Sequence, residues 1–568
     1  MLKRPLVLGV LIVAAVAATA GFFLIGKKGT PAQQPKVRLA VLIVFDQLRG
    51  DYLGKWDKLF VEGGFRRLMK EGAWFTNCHY PYAATITGPG HASLVTGTSP
   101  SRHGIIANEW YDREKADLVP AVLSEQHRPI PAPAHSAKAL HGAAPLRRRQ
   151  PSLGDALLDA SKGKSRVVSL SLKDRSAILL AALRAICCWF STSAGAFVSS
   201  SYYTDALPRW VTDFNRGARA DSFFDHDWDR LLPKLDYARH SGPDNVAAEG
   251  IGYDQGQTFP HPTNGGLKKP GQDYYQAMLN TPYGNQMLLE LAKIAIDAEK
   301  LGQGQATDFL CLSFSSNDLI GHCWGPDSQE VLDITLRSDR VVKELLDHLD
   351  DRVGAENYVI AISADHGICP IPEVAKAAGK KAGRVSPQLL TTDAIAFLSK
   401  RFAAGKMGLP WLEEAINGQI YLNRRFIREL GLDTGAVGRT LAEWLGSQPG
   451  VLAAFSSADL AGEANSGLRE QVRQSFDPER SGDVVVVLQP YHLLSPPISP
   501  RLAAYRTTHG SPHPYDTHVP LLIYGGGIRP GVHDERIAPQ AVVPVISRAL
   551  SITPPAGCDT ALPHGLFP

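Results

Sequence analysis

The sequence has no marked excess of charge: 59 Lys and Arg stand against 56 Asp and Glu, for a formal net charge of +3. Four of the basic residues, Lys3, Arg4, Lys27 and Lys28, flank one N-terminal apolar run. A body this close to neutral lacks the basic face or stripe expected of a nucleic-acid partner. Cysteine is sparse as well. Cys78, Cys187, Cys188, Cys311, Cys323, Cys369 and Cys558 form no CxxC pair, so neither a zinc ribbon nor a disulfide framework is indicated. Their odd number leaves at least one thiol unpaired within the chain, and the adjacent Cys187 and Cys188 are not expected to bond to each other. There is no internal repeat and no compositional bias. Hydrophobic residues at 44% and charged residues at 20% are ordinary for folded chains, which excludes disordered, collagenous and polytopic membrane classes. The 568 residues suffice for one large domain with insertions or for two to four ordinary ones. The local cluster Arg147, Arg148, Arg149 before Pro151 reads as a solvated loop.

Leu6 to Ile25 carries no charge and as a helix is long enough to cross a bilayer core. Ala18-Thr19-Ala20 offers a small-residue cleavage site, but Phe22 to Ile25 extend the apolar run past it. An uncleaved anchor is therefore expected ahead of a cleaved signal. Lysines on both sides leave the positive-inside rule nearly indecisive. Gly29 to Pro35 reads as a tether, which places the body outside the membrane. In a bacterium that is the periplasm, either anchored to the inner membrane or secreted if the segment is cleaved.

Short apolar, β-branched runs recur at Leu39 to Phe45, Val167 to Leu172, Phe309 to Phe314, Tyr358 to Ser363, Val484 to Leu488 and Val519 to Tyr524, and read as buried strands. Ser328 to Val353 has a helical stripe of Val331, Ile334, Val341, Val342, Leu345, Leu346 and Leu349. The alternation implies an α/β sheet with helices on both faces, whose ligands gather beyond the carboxyl ends of the strands. Asp46, Lys173 with Arg175, Asp318, and Asp365-His366 stand at four such ends. Two stretches with a different texture, 202–271 and 373–483, read as insertions that supply substrate selectivity.

Singly, each strand-end aspartate could be a cap or turn former. Jointly they form a pattern. Asp318 and His322 are four apart, on one side of a helical turn; Asp365 and His366 are adjacent; His509 precedes the last strand. Three aspartates and three histidines make two mixed oxygen and nitrogen sites, a set suited to zinc rather than to magnesium or calcium. Thr87, in Thr85-Ile86-Thr87-Gly88-Pro89-Gly90-His91-Ala92, is a hydroxyl that a metal could activate. The residues after it can start a helix whose free N–H groups face an anion. Spacing alone leaves Thr85 open as an alternative to Thr87, and His513 or His518 as alternatives to His509.

Phe45 to Leu53, the Thr87-Gly-Pro-Gly-His-Ala segment, Ser315 to His322, Ser363 to Gly367 and Thr508 to Ser511 together resemble the alkaline phosphatase superfamily, and more narrowly its PafA-like periplasmic members. The resemblance runs in order from about Val37 to the C-terminus. It implies an α/β fold with a central, mostly parallel sheet flanked by helices and carrying inserted caps. The organisation expected is 1–35 as anchor or signal plus tether, 36–372 as catalytic core with an insertion near 202–271, 373–483 as an α/β cap, and 484–568 as the C-terminal part of the core. It also implies two Zn2+, one held by Asp318, His322 and His509 and one by Asp46, Asp365 and His366, with Thr87 as nucleophile and metal-bridging group. In the family register, Thr87 is chosen over Thr85 and His509 over His513 or His518. Asn108 matches a phosphate-contacting Asn, and Lys173-Asp174-Arg175 resembles the Lys-x-Arg pair of the monoesterases; on a strand these two cations would share a face. Ala182 to Trp189 departs from the family pattern, where a Gly- and Asp-rich stretch is expected, and puts the loop beside the site in question.

The expected activity is hydrolysis of small-molecule phosphate monoesters through a phosphothreonine on Thr87. Lys173 and Arg175 add positive charge for a dianionic monoester that a singly charged diester would not need. The nearest alternative is a phosphodiesterase or nucleotide pyrophosphatase on the same two-metal scaffold, and a further one is an inactive, membrane-tethered binding protein. A sulfatase is excluded, because Thr87-Gly-Pro-Gly-His supplies no residue that becomes formylglycine.

Overall fold

The computed structural model describes residues 37–131, 142–406, 408–462, 466–495 and 505–568. The apolar run of residues 6–25 lies outside them. Among the described residues no helix is long and apolar enough to cross a membrane.

A ten-stranded sheet runs through the body in the order Gly531–His533, Ala73–Phe75, Leu521–Gly525, Tyr358–Ala364, Leu39–Phe45, Asp308–Phe314, Val167–Ser171, Ile186–Ser191, Ala196–Ser200, Pro129–Ile130. The five strands from Tyr358–Ala364 to Ile186–Ser191 are parallel. Antiparallel pairings flank them on both sides. Every residue of the three central strands is buried, which explains why they read as continuous apolar runs without alternation. In register, Phe45 stands opposite Phe314 on one side and Ala364 on the other. The next residues along these strands, Asp46, Ser315 and Asp365, therefore emerge side by side at one end of the sheet.

The stripe read between Ser328 and Val353 is the helix Gln329–Arg352, capped by the Ser328 hydroxyl accepting from the Val331 N–H. Its polar residues are also used. Asp333 accepts hydrogen bonds from Trp228 Nε1, the Leu231 N–H and the Tyr237 hydroxyl, and Glu330 pairs with His261 at 3.0 Å. Residues of the 202–271 stretch are thereby tied to this helix.

Val484–Leu488 is not a strand of the central sheet. It lies in a separate antiparallel sheet of order Leu412–Ile416, Gln419–Leu422, Val484–Leu488, Val451–Ser456, with its own core of Trp411, Ile420, Leu441, Leu445 and Val484. An apolar β-branched run has the same local signature in any sheet, so periodicity could not assign it. Ala182 to Trp189 is only half a loop: residues 182–185 are irregular, but Ile186–Ser191 is a parallel strand beside Val167–Ser171 and turns back into Ala196–Ser200.

The arginine cluster lies in a loop and Arg149 is exposed, but Arg148 is not solvated. The Arg148 side chain is 1% exposed, pairs with Asp155 at 3.0 Å, and donates to the carbonyls of Leu179 and Ala181 at 3.0 and 2.9 Å. Arg149 pairs with Asp477 and Glu479, and Arg147 donates to the Leu123 carbonyl. All seven cysteines are free thiols.

Candidate active site

Four segments deliver ligand-type side chains to the carboxyl end of the sheet. Asp46 follows Leu39–Phe45; Asp365 and His366 follow Tyr358–Ala364; Asp318 and His322 lie on the helix Ser316–Trp324, which follows Asp308–Phe314; His509 comes from a loop before Leu521–Gly525. Asp46, Asp365 and His366 place one ligand atom each within 4.8 Å of one another, and so do Asp318, His366 and His509. His322 Nε2 is 3.1 Å from Asp318 Oδ1, and the rings of His366 and His509 stack at 3.4 Å. The six expected ligands are thus together, with His366 between the two groups.

Each histidine is oriented the same way. Nδ1 of His322, His366 and His509 lies 2.8, 2.9 and 2.8 Å from the backbone carbonyls of Thr507, Gly367 and Thr85. As N–H donors to those carbonyls the rings turn Nε2, with its lone pair, towards the carboxylates, the usual outer-shell arrangement of a metal-ligating histidine. Burial pushes the His366 imidazole down to about 3 and His509 well below its usual range, with His366 adding to the effect. Both are therefore neutral, the ligating form.

The carboxylates point to a cation as well. Among the described residues, Asp46 Oδ1 and Asp365 Oδ2 accept no hydrogen bond although they are buried, and Asp46 Oδ2 meets only the Lys173 ammonium, at 2.8 Å; buried carboxylate oxygens left this bare are costly unless further positive charge compensates them. His91 Nδ1 comes within 3.1 Å of Asp365 Oδ2 but is 2.8 Å from the Thr87 carbonyl. Burial and the neighbouring Asp46 raise the Asp365 carboxyl to about 7. Burial also works against Asp318, yet His322 and Lys173 hold it well below the usual carboxylate range. A set of three carboxylates and three imidazoles fits a pair of zinc-type ions.

Thr87 opens the helix Thr87–Thr96 and is 1% exposed. Its Oγ1 is 3.5 Å from His366 Nε2. The helix start offers an anion less than the sequence suggested: the Gly88 N–H donates to Asn108 Oδ1 at 2.8 Å, the Gly90 N–H donates to the Ile86 carbonyl, and Pro89 has none. Side chains must do more of the anion binding. Asn108, held by its carbonyl oxygen, keeps its NH2 as the donating end. Thr85 is turned away, its hydroxyl donating to the Ser511 carbonyl at 2.9 Å.

Lys173 and Arg175 are near the site, but not through strand alternation. The strand ends at Ser171, Lys173 stands at the position just before the helix Asp174–Leu180 without capping it, and Arg175 lies in its first turn. Lys173 Nζ is 2.8 Å from Asp46 Oδ2 and 2.5 Å from Asp318 Oδ2. Burial alone would lower its pKa, but these two carboxylates outweigh that and hold it above the usual lysine value.

Three contributors were not singled out from the sequence, although Gln47 and His91 lie inside its motif segments. His91 Nε2 lies 2.8 Å from Ser313 Oγ, joining the Thr87 helix to a central strand. Gln47 reaches both Asp365 and Asp318. The Tyr505 ring packs on His322 at 4.5 Å while 54% exposed. All three roles depend on residues distant in the chain.

The model of the type I phosphodiesterase / nucleotide pyrophosphatase family matches residues 40–510. Alkaline phosphatase PafA of Elizabethkingia meningoseptica is 32% identical over 529 residues, covering 92% of this chain and 93% of that protein. Alkaline phosphatase PhoV of Synechococcus elongatus is 31% identical over 531 residues, covering 93% and 92%. The crystal structure of wild-type alkaline phosphatase PafA matches with a TM-score of 0.85 at 31% identity, over 95% of this chain and 100% of that one.

Proposed function

Because the chain belongs to the type I phosphodiesterase / nucleotide pyrophosphatase family, as a PafA-like phosphoric monoester hydrolase of the alkaline phosphatase superfamily, we propose that it cleaves small-molecule phosphate monoesters through a phosphothreonine on Thr87 at a pair of Zn2+ ions. The observation that carries this reading is the convergence of three Nε2 atoms, each set by a backbone carbonyl, on three buried carboxylates beside the Thr87 hydroxyl.

Asp46, Asp365 and His366 would hold one ion, and Asp318, His322 and His509 the other. When bound, such ions supply Lewis acidity, polarising phosphoryl oxygens and easing deprotonation of a hydroxyl. Thr87 Oγ1 forms a bond to phosphorus as the ester oxygen leaves and takes up a proton. Water then cleaves the Thr87 ester, releasing phosphate and restoring the hydroxyl. The Asn108 NH2 and the cations of Lys173 and Arg175 hold the phosphoryl oxygens, with the helix start in a supporting part. The last two select a dianion, because a diester presents one charged oxygen fewer.

The experiment compares an aryl phosphate monoester with its diester in the Lys173→Ala, Arg175→Ala double variant. Removing a preorganised charge-assisted contact costs about 100- to 1000-fold in rate, so monoester turnover falls by at least that order and any diester turnover changes much less. Equal losses on both substrates would assign these residues to holding the metals or the fold. A wild-type preference for the diester would favour the phosphodiesterase reading, which the family description also accommodates. We further propose that residues 6–25 bring the body to the periplasmic side of the inner membrane.

A further inference from the structure

Gln47 follows the ligand Asp46 and adopts φ 67°, a left-handed conformation that non-glycine residues rarely take and that clusters at functional sites. It is 5% exposed. The conformation lets one residue reach two separate carboxylates. Its backbone N–H donates to Asp365 Oδ1 at 3.0 Å, and its Nε2 donates to Asp318 Oδ1 at 2.8 Å, with the Asp318 carbonyl at 3.3 Å. Asp365 belongs to one ligand group and Asp318 to the other.

A second position accommodates the same amide. Gly321 lies inside the helix Ser316–Trp324, where glycine is a weak helix former, and its φ is not left-handed, so nothing in its own backbone requires glycine. Space does. A Cβ on Gly321 would lie 1.6 Å from Gln47 Oε1 and 2.7 Å from its Cδ. An unfavourable backbone at residue 47 and an unfavourable residue type at 321 thus meet at one side-chain amide.

We propose that Gln47 is a positioning residue for the metal centre, fixing the Asp365 and Asp318 carboxylates relative to each other, and that Gly321 is the recess that admits its amide. The proposal rests on reading the six side chains as a two-metal site. By occupying Asp365 Oδ1, the Gln47 N–H leaves Oδ2, which accepts no hydrogen bond among the described residues, as the oxygen free to ligate. By holding Asp318 Oδ1, the amide sets the rotation of the other carboxylate.

The test uses full-length protein carrying Gln47→Gly, Gln47→Glu, Gly321→Ala or the Gln47→Gly, Gly321→Ala pair. Gln47→Gly keeps the backbone donor and suits the left-handed φ, so it removes only the amide; Gln47→Glu keeps the shape and removes the donor. Zinc affinity is measured by chelator competition, ligand geometry by the visible spectrum of the cobalt-loaded protein, and folding by the melting midpoint of the metal-free protein. Each single variant should lose about 10- to 100-fold in zinc affinity, the usual effect of losing an outer-shell partner. Each should also alter the cobalt spectrum. The paired variant should lose no more than Gln47→Gly, because the amide that Gly321 accommodates is gone. Wild-type zinc affinity and an unchanged cobalt spectrum in Gln47→Gly would overturn the proposal, as would losses that add in the paired variant. If the wild-type protein takes up no zinc, the two-metal reading fails and this proposal with it; if it takes up zinc and the variants match it, only this proposal fails.

Discussion

Replacing Arg148 by Met keeps an unbranched apolar stem and removes the charged end from the interior. The guanidinium pairs with Asp155 at 3.0 Å with 1% of the side chain exposed. It also donates to the carbonyls of Gln150, Leu179 and Ala181 at 3.1, 3.0 and 2.9 Å, the last two at the end of the helix Asp174–Leu180 that begins just after Lys173. Breaking a buried ion pair from one side costs about 3 to 5 kcal/mol, because the other charge stays buried. Asp155 would keep the N–H and hydroxyl of Ser152, both at 2.8 Å, and the Leu183 N–H at 2.6 Å. That retained shell moves the cost towards the lower end, and the three carbonyls left without their charged donor offset part of the relief. A loss of about 3 to 4 kcal/mol is expected, a large share of a typical stability of roughly 5 to 15 kcal/mol. Equilibrium urea unfolding measures it, with Arg147→Met as comparison, since Arg147 donates to a single carbonyl. Repeating Arg148→Met in an Asp155→Asn background should reduce its cost by about 0.5 to 3 kcal/mol, the range for residues in one network. A loss below about 1 kcal/mol, matching that of Arg147→Met, would mean that Arg148 is an ordinary solvated charge.

Thr87→Ala should abolish recovery of labelled phosphate on the protein; label found on Thr85 instead would move the nucleophile. Chelation should remove activity, with elemental analysis of active protein returning close to two zinc ions, and active protein holding only magnesium would refute the ligand assignment. Burial, helped by Glu330 and Asp244, raises the Glu249 carboxyl to about 9 from its ordinary 4.5. A carboxyl that holds its proton more tightly when folded stabilises fully below its unfolded pKa and loses that contribution as pH climbs to the folded one. The stability of Glu249→Gln relative to wild type should therefore grow by about 1.4 kcal/mol per pH unit across the window from pH 4.5 to about 9; parallel unfolding profiles for the two proteins would contradict it. A chain starting at Pro35 should be soluble and active while the full-length protein fractionates with membranes, and an N-terminus at Gly21 in the mature protein would identify a cleaved signal instead.

What the sequence determined by itself was where the ligand-type side chains stand along the chain. A fully buried parallel strand is a continuous apolar run, so its end is visible in one dimension, and Asp46, Asp318 and Asp365 stand at or just beyond such ends. The helix Gln329–Arg352 was visible because 3.6-residue periodicity is a local property. Tertiary structure decided whatever depends on a partner. Val484–Leu488 carries the signature of a central strand yet joins the smaller sheet, since apolarity says that a strand is covered and not by what. Cys187, Cys188 and Trp189 complete a strand of the main sheet because Val167–Ser171 leaves an edge for them. Arg148, one of three adjacent arginines in a loop, looks hydrated until Asp155 and the carbonyls of Leu179 and Ala181 are brought around it. Lys173 reaches Asp46 and Asp318 from a helix start rather than a strand face, and Arg175 lies in the first turn of that helix. Gln47 joins Asp365 across 318 residues of chain, and no local pattern announces that contact, because a hydrogen bond between distant segments exists only after the sheet has placed Leu39–Phe45 beside Tyr358–Ala364.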